Sequence, residues 1–148
     1  MFRGIAQLNL DSKGRLAIPA RFRDGLAARC SGHLVITGDA DRCLLIYPLP
    51  DWEPIEQKLM ALSSFNVQIR ELQRRLVGYA EDVAMDATGR ILVPPALRDY
   101  AQLDKAVTLI GQGAKFELWN KDNWEQRMDQ GGGVGAGGLP PELEGFSL

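Results

Sequence analysis

The most pointed chemistry in this chain belongs to cations set around a glycine turn, Asp11-Ser12-Lys13-Gly14-Arg15. A guanidinium can make paired hydrogen bonds to a guanine edge or a phosphate, whereas an ammonium acts as a point charge. Arg15 is therefore the leading candidate contact to a nucleic acid, with Lys13 beside it. Arg3, ahead of the first strand, and Arg21 and Arg23, just after Pro19, are candidates to hold flanking phosphates. The competing use of Arg15 is a local pair with Asp11 that fixes the loop. Both uses are compatible, since Asp11 can orient Arg15.

Catalytic chemistry is poorly supplied. His33 stands alone, and Cys30 and Cys43 lack metal-ligand spacing, so the thiols are expected to be buried and reduced. Gly111-Gln-Gly-Ala-Lys115 lacks the spacing and the hydroxyl of a phosphate loop. Asp11 and Asp86 could in principle form a carboxylate dyad, but each has an arginine four residues on and is expected to stay ionised. This reading assigns no catalytic residue, cofactor, metal or small-molecule substrate.

The turn recurs. Asp-Ser-Lys-Gly-Arg-Leu-Ala-Ile-Pro at 11–19 returns as Asp-Ala-Thr-Gly-Arg-Ile-Leu-Val-Pro at 86–94. Leu8, Asp11, Gly14, Arg15, Leu16, Pro19 and Arg23 match Val83, Asp86, Gly89, Arg90, Ile91, Pro94 and Arg98, always 75 residues apart. Further on, Leu34-Val-Ile-Thr-Gly answers Val107-Thr-Leu-Ile-Gly. Each repeat spans roughly 50 residues, too few to close a large core alone. The two halves are expected to share one core about an approximate twofold axis.

With 148 residues, 45% of them hydrophobic and 24% charged, the composition is that of an ordinary soluble globular chain. The opening residues lack the apolar core of a signal peptide, and no apolar run approaches the ~18 residues of a membrane span. A cytoplasmic protein is expected. The net charge of −2 is unevenly spread: residues 1–30 carry +4, which leaves −6 for the rest. The basic field is confined to the first repeat.

Periodicity supplies the elements that hold the turns. Leu8 and Leu10, then Leu16 and Ile18, alternate with polar or small residues, so Asp-x-x-Gly-Arg is expected to join two half-buried strands as a hairpin tip. Gly14 and Gly89 suit a positive φ there, and Asp11, Asp86 and Arg90 are assigned to structuring the loops. A short helix follows each proline, over 20–26 and 95–101. Strand pairs are expected at 33–38 with 43–47, and at 106–110 with 115–119. Between the repeats the period lengthens to that of a helix: Trp52, Ile55, Leu59 and Leu62 form one stripe, Ile69, Leu72 and Leu76 another, with Asn66 as an N-cap. A core role is expected for Trp52, Trp119 and Trp124. The divisions are a first repeat over 1–53, a helical hairpin over 54–78, a second repeat over 79–127 and a tail over 128–148. The glycine-rich tail from 131 is expected to be flexible, with Leu143, Phe146 and Leu148 available for weak docking.

Met-Phe-Arg-Gly at the start, Asp-Ser-Lys-Gly-Arg-Leu with Ile-Pro and Arg-Phe-Arg, Leu-Leu-Ile-Tyr-Pro-Leu-Pro-Asp-Trp, and the second Asp-x-x-Gly-Arg with Lys-Phe-Glu-Leu-Trp together resemble the bacterial MraZ proteins over residues 1–130. The glycine-rich tail is the main departure. The resemblance, which extends to AbrB and MazE regulators, implies an α+β, β-dominated fold: two tandem repeats intertwined as a split, swapped-hairpin barrel. It also implies a sequence-specific repressor of the cell-division and cell-wall gene cluster, its own promoter included. Such a protein would act on the nucleoid as a ring-shaped homo-oligomer, binding double-stranded DNA at tandem short promoter repeats.

The repeats are not equal as surfaces. Where the first has Lys13 and Arg21 the second has Thr88 and Ala96, and Glu81 and Asp82 replace Ala6 and Gln7. Arg90 is thus expected to hold its loop with Asp86, or to meet a neighbouring subunit, more than to read bases. The resemblance to MazE-type repeats leaves an antitoxin-like protein-binding module as the alternative, though no long toxin-wrapping tail is visible. RNA binding would call for an aromatic platform of the RNP kind near the basic residues, and no such platform appears.

Overall fold

The computed structural model describes residues 1–130 and 140–147. The expectations for 131–139 and for Leu148 lie outside the described residues. Its elements are β1 (Phe2–Asn9), β2 (Arg15–Ala17), α1 (Ala20–Cys30), β3 (His33–Gly38), β4 (Leu44–Pro48), α2 (Leu49–Met60), α3 (Val67–Leu76), β5 (Glu81–Ala84), β6 (Arg90–Leu92), α4 (Pro95–Tyr100), β7 (Ala106–Gly113), β8 (Lys115–Asn120) and α5 (Lys121–Asp129). A single 3-10 turn follows at Pro141–Leu143. The fold is α+β, built around an antiparallel six-stranded sheet in the order β1-β7-β8-β4-β3-β5, with a separate β2-β6 ribbon.

The repeats interlock strand by strand. β1 of the first pairs with β7 of the second, and β5 of the second pairs with β3 of the first. Leu8 lies opposite Val107 and Val83 opposite Leu34, and the sequence repeat makes these equivalent pairs. β2 meets its own counterpart β6, with Leu16 opposite Ile91. Exchanging the repeats maps β1–β7 onto β3–β5 and β3–β4 onto β7–β8, and returns β2–β6 and β4–β8 to themselves, as an internal twofold requires. One buried cluster joins Leu16, Ile18, Phe22 and Leu26 to Ile91, Val93, Leu97 and Phe116. Neither half keeps a core of its own.

Two expectations need correction. The Asp-x-x-Gly-Arg turn is tight, with the Asp11 N–H donating to the Arg15 carbonyl at 3.0 Å, but it is not the tip of a hairpin whose strands pair. β1 stays with β7 while β2 leaves for β6, because each strand's apolar face finds its partner in the other repeat. The first helix also runs past Leu26 to Cys30, ending at Ser31 and Gly32, both left-handed (φ 52 and 79).

The central hairpin forms as its stripes predict. The Asn66 side chain accepts from the N–H groups of Gln68 and Ile69 at 2.9 and 3.2 Å and starts α3. Trp52 and Leu59 are buried, whereas Leu62, beyond the end of α2, is exposed. Thr37 ties the hairpin to the sheet by donating from Oγ1 to the Leu76 carbonyl at 2.6 Å. Trp119 is buried and Trp124 packs partly buried against it, and α5 carries regular structure to Asp129, inside the segment expected to be tail. Phe146 is exposed and Leu143 half-buried. Of the two free thiols, Cys43 is buried and Cys30 only partly so.

Candidate nucleic-acid interface

The first turn is organised by one carboxylate. Asp11 Oδ1 accepts the backbone N–H groups of Lys13 and Arg15, each at 2.9 Å, and Oδ2 accepts Arg15 Nε at 2.6 Å. Gly14 has φ +82, a conformation a glycine adopts freely. The backbone N–H of Arg15 above all, helped by its side chain and by Lys13, holds the Asp11 carboxyl down at about 2. Asp11 is thus a fixed anion that takes only the Nε edge of Arg15. The terminal nitrogens of that guanidinium meet no partner among the described residues, and the side chain remains about a third exposed. Lys13 is exposed beside it.

The second turn repeats the scaffold with a different finish. Asp86 Oδ1 accepts the N–H groups of Thr88 and Arg90, and its carboxyl is likewise held at about 2, chiefly by the Arg90 N–H. The Thr88 hydroxyl donates to Asp86 at 2.8 Å and accepts Arg90 Nε at 2.9 Å, so the Arg90–Asp86 contact relaxes to 3.3 Å. Threonine takes the place of the exposed lysine and ties Arg90 into its own loop.

The remaining candidate cations divide. Arg21 is exposed, lies 4.8 Å over the Phe22 ring and donates to the Ile5 carbonyl at 3.2 Å, which brings it to the β1 edge beside Gly4. Arg3 is exposed on the same strand. Six residues separate it from Asn9, about 20 Å along an extended strand, so Arg3 does not share the turn's immediate neighbourhood. Arg23 turns inward. Its Nε donates to the Ile18 carbonyl at 2.7 Å, and its side chain covers Gly89 of the other repeat.

Arg98, the equivalent of Arg23, does the same in reverse: it donates to the Val93 carbonyl at 3.0 Å and covers Gly14. The sequence reading did not assign it to the site. The signal lay in the repeat itself, since an arginine kept at matching positions of two halves with unequal surfaces points to a shared structural task. Among the described residues there is no group of three or more metal-ligating side chains, and no helix is long and apolar enough to cross a membrane.

Comparison with known proteins accords with this repeat architecture. The family model described as "MraZ protein, putative antitoxin-like" matches residues 1–75 and again 76–131. A protein of Nitrosospira multiformis and one of Nitrosomonas eutropha are each 60% identical to this chain over 148 residues, covering all of both chains. One of Thiobacillus denitrificans is 55% identical over the same full span. All three are named "Transcriptional regulator MraZ". It belongs to the MraZ family.

Proposed function

We propose that this protein is a transcriptional regulator that binds double-stranded DNA sequence-specifically through the first-repeat turn. The observation that carries the reading is the asymmetry of the two turns. Asp11 holds Arg15 through Nε alone and leaves its other nitrogens for a base or phosphate, with Lys13 exposed alongside, whereas the second turn, its Arg90 held through Nε in the same way, has Thr88 in place of that second cation. The family membership and the relatives' printed name support the same assignment. Arg3 and Arg21 extend the cationic edge along β1 to flanking phosphates. Arg23 acts indirectly, by holding the opposite turn.

The finer reading follows the family resemblance. The protein represses the cell-division and cell-wall gene cluster that includes its own gene, and works on the nucleoid. The cross-repeat pairings β1–β7, β3–β5 and β2–β6 support the split, swapped-hairpin arrangement of the two repeats. Copies assemble into a ring over tandem promoter repeats. The hairpin between α2 and α3 supports self-association, because it presents Met60, Leu62, Phe65 and Val67 to solvent, Phe65 almost fully. Several first-repeat turns acting together raise avidity by roughly 10²- to 10⁴-fold, which a net-negative subunit with few contacts needs.

The test is binding of wild type, Arg15→Ala and Arg90→Ala to a labelled duplex from upstream of the gene and to a scrambled duplex, over a range of salt, with oligomer size measured alongside. Arg15→Ala should remove the preference for the promoter duplex and reduce the salt slope by about 1, while Arg90→Ala leaves both near wild type. A wild-type protein without preference overturns the reading and turns attention to a protein partner, which the family description's antitoxin-like wording favours.

A further inference from the structure

Beside the second helix of the central hairpin the fold brings Arg42 to two arginines that are remote from it in sequence. Arg42 comes from the β3–β4 loop, Arg74 and Arg75 from the last turn of α3, and with Ala40, Glu71, Tyr79 and Tyr100 they line an open cavity of about 390 Å³. Three arginines against one glutamate leave its lining at +2. Arg74 Nη1 pairs with Glu71 at 2.8 Å. The Arg42 and Arg75 side chains have no carboxylate partner among the described residues, and Arg75 Nε is buried without any hydrogen bond.

The two helix arginines have an ordinary use, because cations in a last turn complement the helix dipole. Arg42 has none. It stands in the left-handed region at φ 61. Glycine is the natural residue for that conformation, and an arginine there carries a backbone cost. Its guanidinium stacks 4.5 Å over the Tyr100 ring, which in turn lies 4.9 Å from the ring of Tyr79. Tyr100 is itself anchored, donating its hydroxyl to the Asp39 carbonyl at 2.6 Å. The stack holds one face of the guanidinium and leaves its in-plane N–H groups to meet a ligand.

We propose that this cavity binds the dianionic phosphate of a small phosphomonoester, held by Arg42 and Arg75, with the half-exposed Tyr79 ring beside it for a planar group. The lining charge matches a dianion, the volume falls in the small-ligand range, and guanidinium forks suit phosphate oxygens. The site is independent of the first-repeat turn.

The test is thermal unfolding of the full chain at constant ionic strength in chloride, with inorganic phosphate or adenosine monophosphate exchanged in, for wild type, Arg42→Gly and Arg75→Lys. Both probes should raise the wild-type midpoint, since a ligand of the native state stabilises it. Arg42→Gly should be as stable in chloride as wild type or more so, because glycine relaxes the backbone, yet bind either probe roughly tenfold more weakly. Arg75→Lys, judged against its own chloride midpoint, should also lose most of the rise. A larger rise with the nucleotide than with phosphate assigns Tyr79 to the base, and equal rises assign recognition to the phosphate alone. No rise in wild type, or a full rise in Arg42→Gly, overturns the proposal. So does an Arg42→Gly protein that loses promoter-duplex binding, for the arginines would then serve the DNA backbone.

Discussion

Arg98 lies over Gly14 of the opposite repeat so closely that a Cβ at position 14 would meet its guanidinium carbon at 2.6 Å. The reciprocal contact places Arg23 over Gly89, where the same atom would meet Arg23 Nε at 2.5 Å. The backbones are tied as well: the Val93 N–H donates to the Gly14 carbonyl at 3.0 Å, and the Ile18 N–H to the Gly89 carbonyl at 2.9 Å. Each turn is therefore built by both halves of the chain.

Gly14→Ala should destabilise the protein by about 2 kcal/mol, combining a left-handed alanine with displacement of Arg98. The displaced arginine is the flexible end of a side chain, so the backbone supplies the larger part. Denaturant unfolding measures the loss, and a change below about 0.5 kcal/mol would show that the turn relaxes without strain.

Arg23→Ala and Arg98→Ala should each cost about 1–2 kcal/mol, through one hydrogen bond to a partly buried carbonyl and the packing of the stem on a glycine. The two effects should match in size, although Arg23 lies in the basic repeat and Arg98 does not. An Arg23→Ala protein of wild-type stability that binds DNA poorly would instead make Arg23 a direct phosphate contact.

Acid should act on both turns at once. Each carboxyl falls from 3.8 to about 2 on folding, so the stability it adds is complete above the unfolded value and disappears as pH drops from about 4 to about 2. In Asp11→Asn/Asp86→Asn the midpoint of thermal unfolding should fall less steeply over that range than in wild type. A slope equal to wild type would place the acid sensitivity elsewhere.

Much of this architecture was legible because the chain states it twice. The constant spacing of matched residues marks the turns, and Gly14 and Gly89 announce positive φ through the only residue that adopts it freely. Alternation shows which face of a strand is buried but not which strand lies beside it, and so the exchange of β2 for β6 could not be read from Leu16 and Ile18. Charge misleads for a related reason: Arg21 and Arg23 are two residues apart on one helix, yet only Arg23 faces the opposite turn. α1 outruns its apolar stripe because Ala27 and Ala28 favour helix without adding to it, and the Ser31-Gly32 stop was the stronger signal. Arg42 was invisible as a site residue, since its neighbours arrive from α3 and α4.

The β2–β6 ribbon offers the sharpest test of shared folding. Leu16 and Ile91 are opposite each other, at 0% and 1% exposure, and each is surrounded by side chains of both repeats. Truncating either leaves a cavity in a core that neither half owns, so Leu16→Ala and Ile91→Ala should each cost about 3 kcal/mol. Because the two side chains touch the same space, their effects should not add, and the double variant should differ from the sum by about 0.5 kcal/mol or more. Each single variant should still unfold in one transition by both far-UV circular dichroism and tryptophan fluorescence, since Trp52 sits in the hairpin and Trp119 in the second repeat. Two separated transitions would mean that the halves fold as independent domains, contrary to the shared cluster.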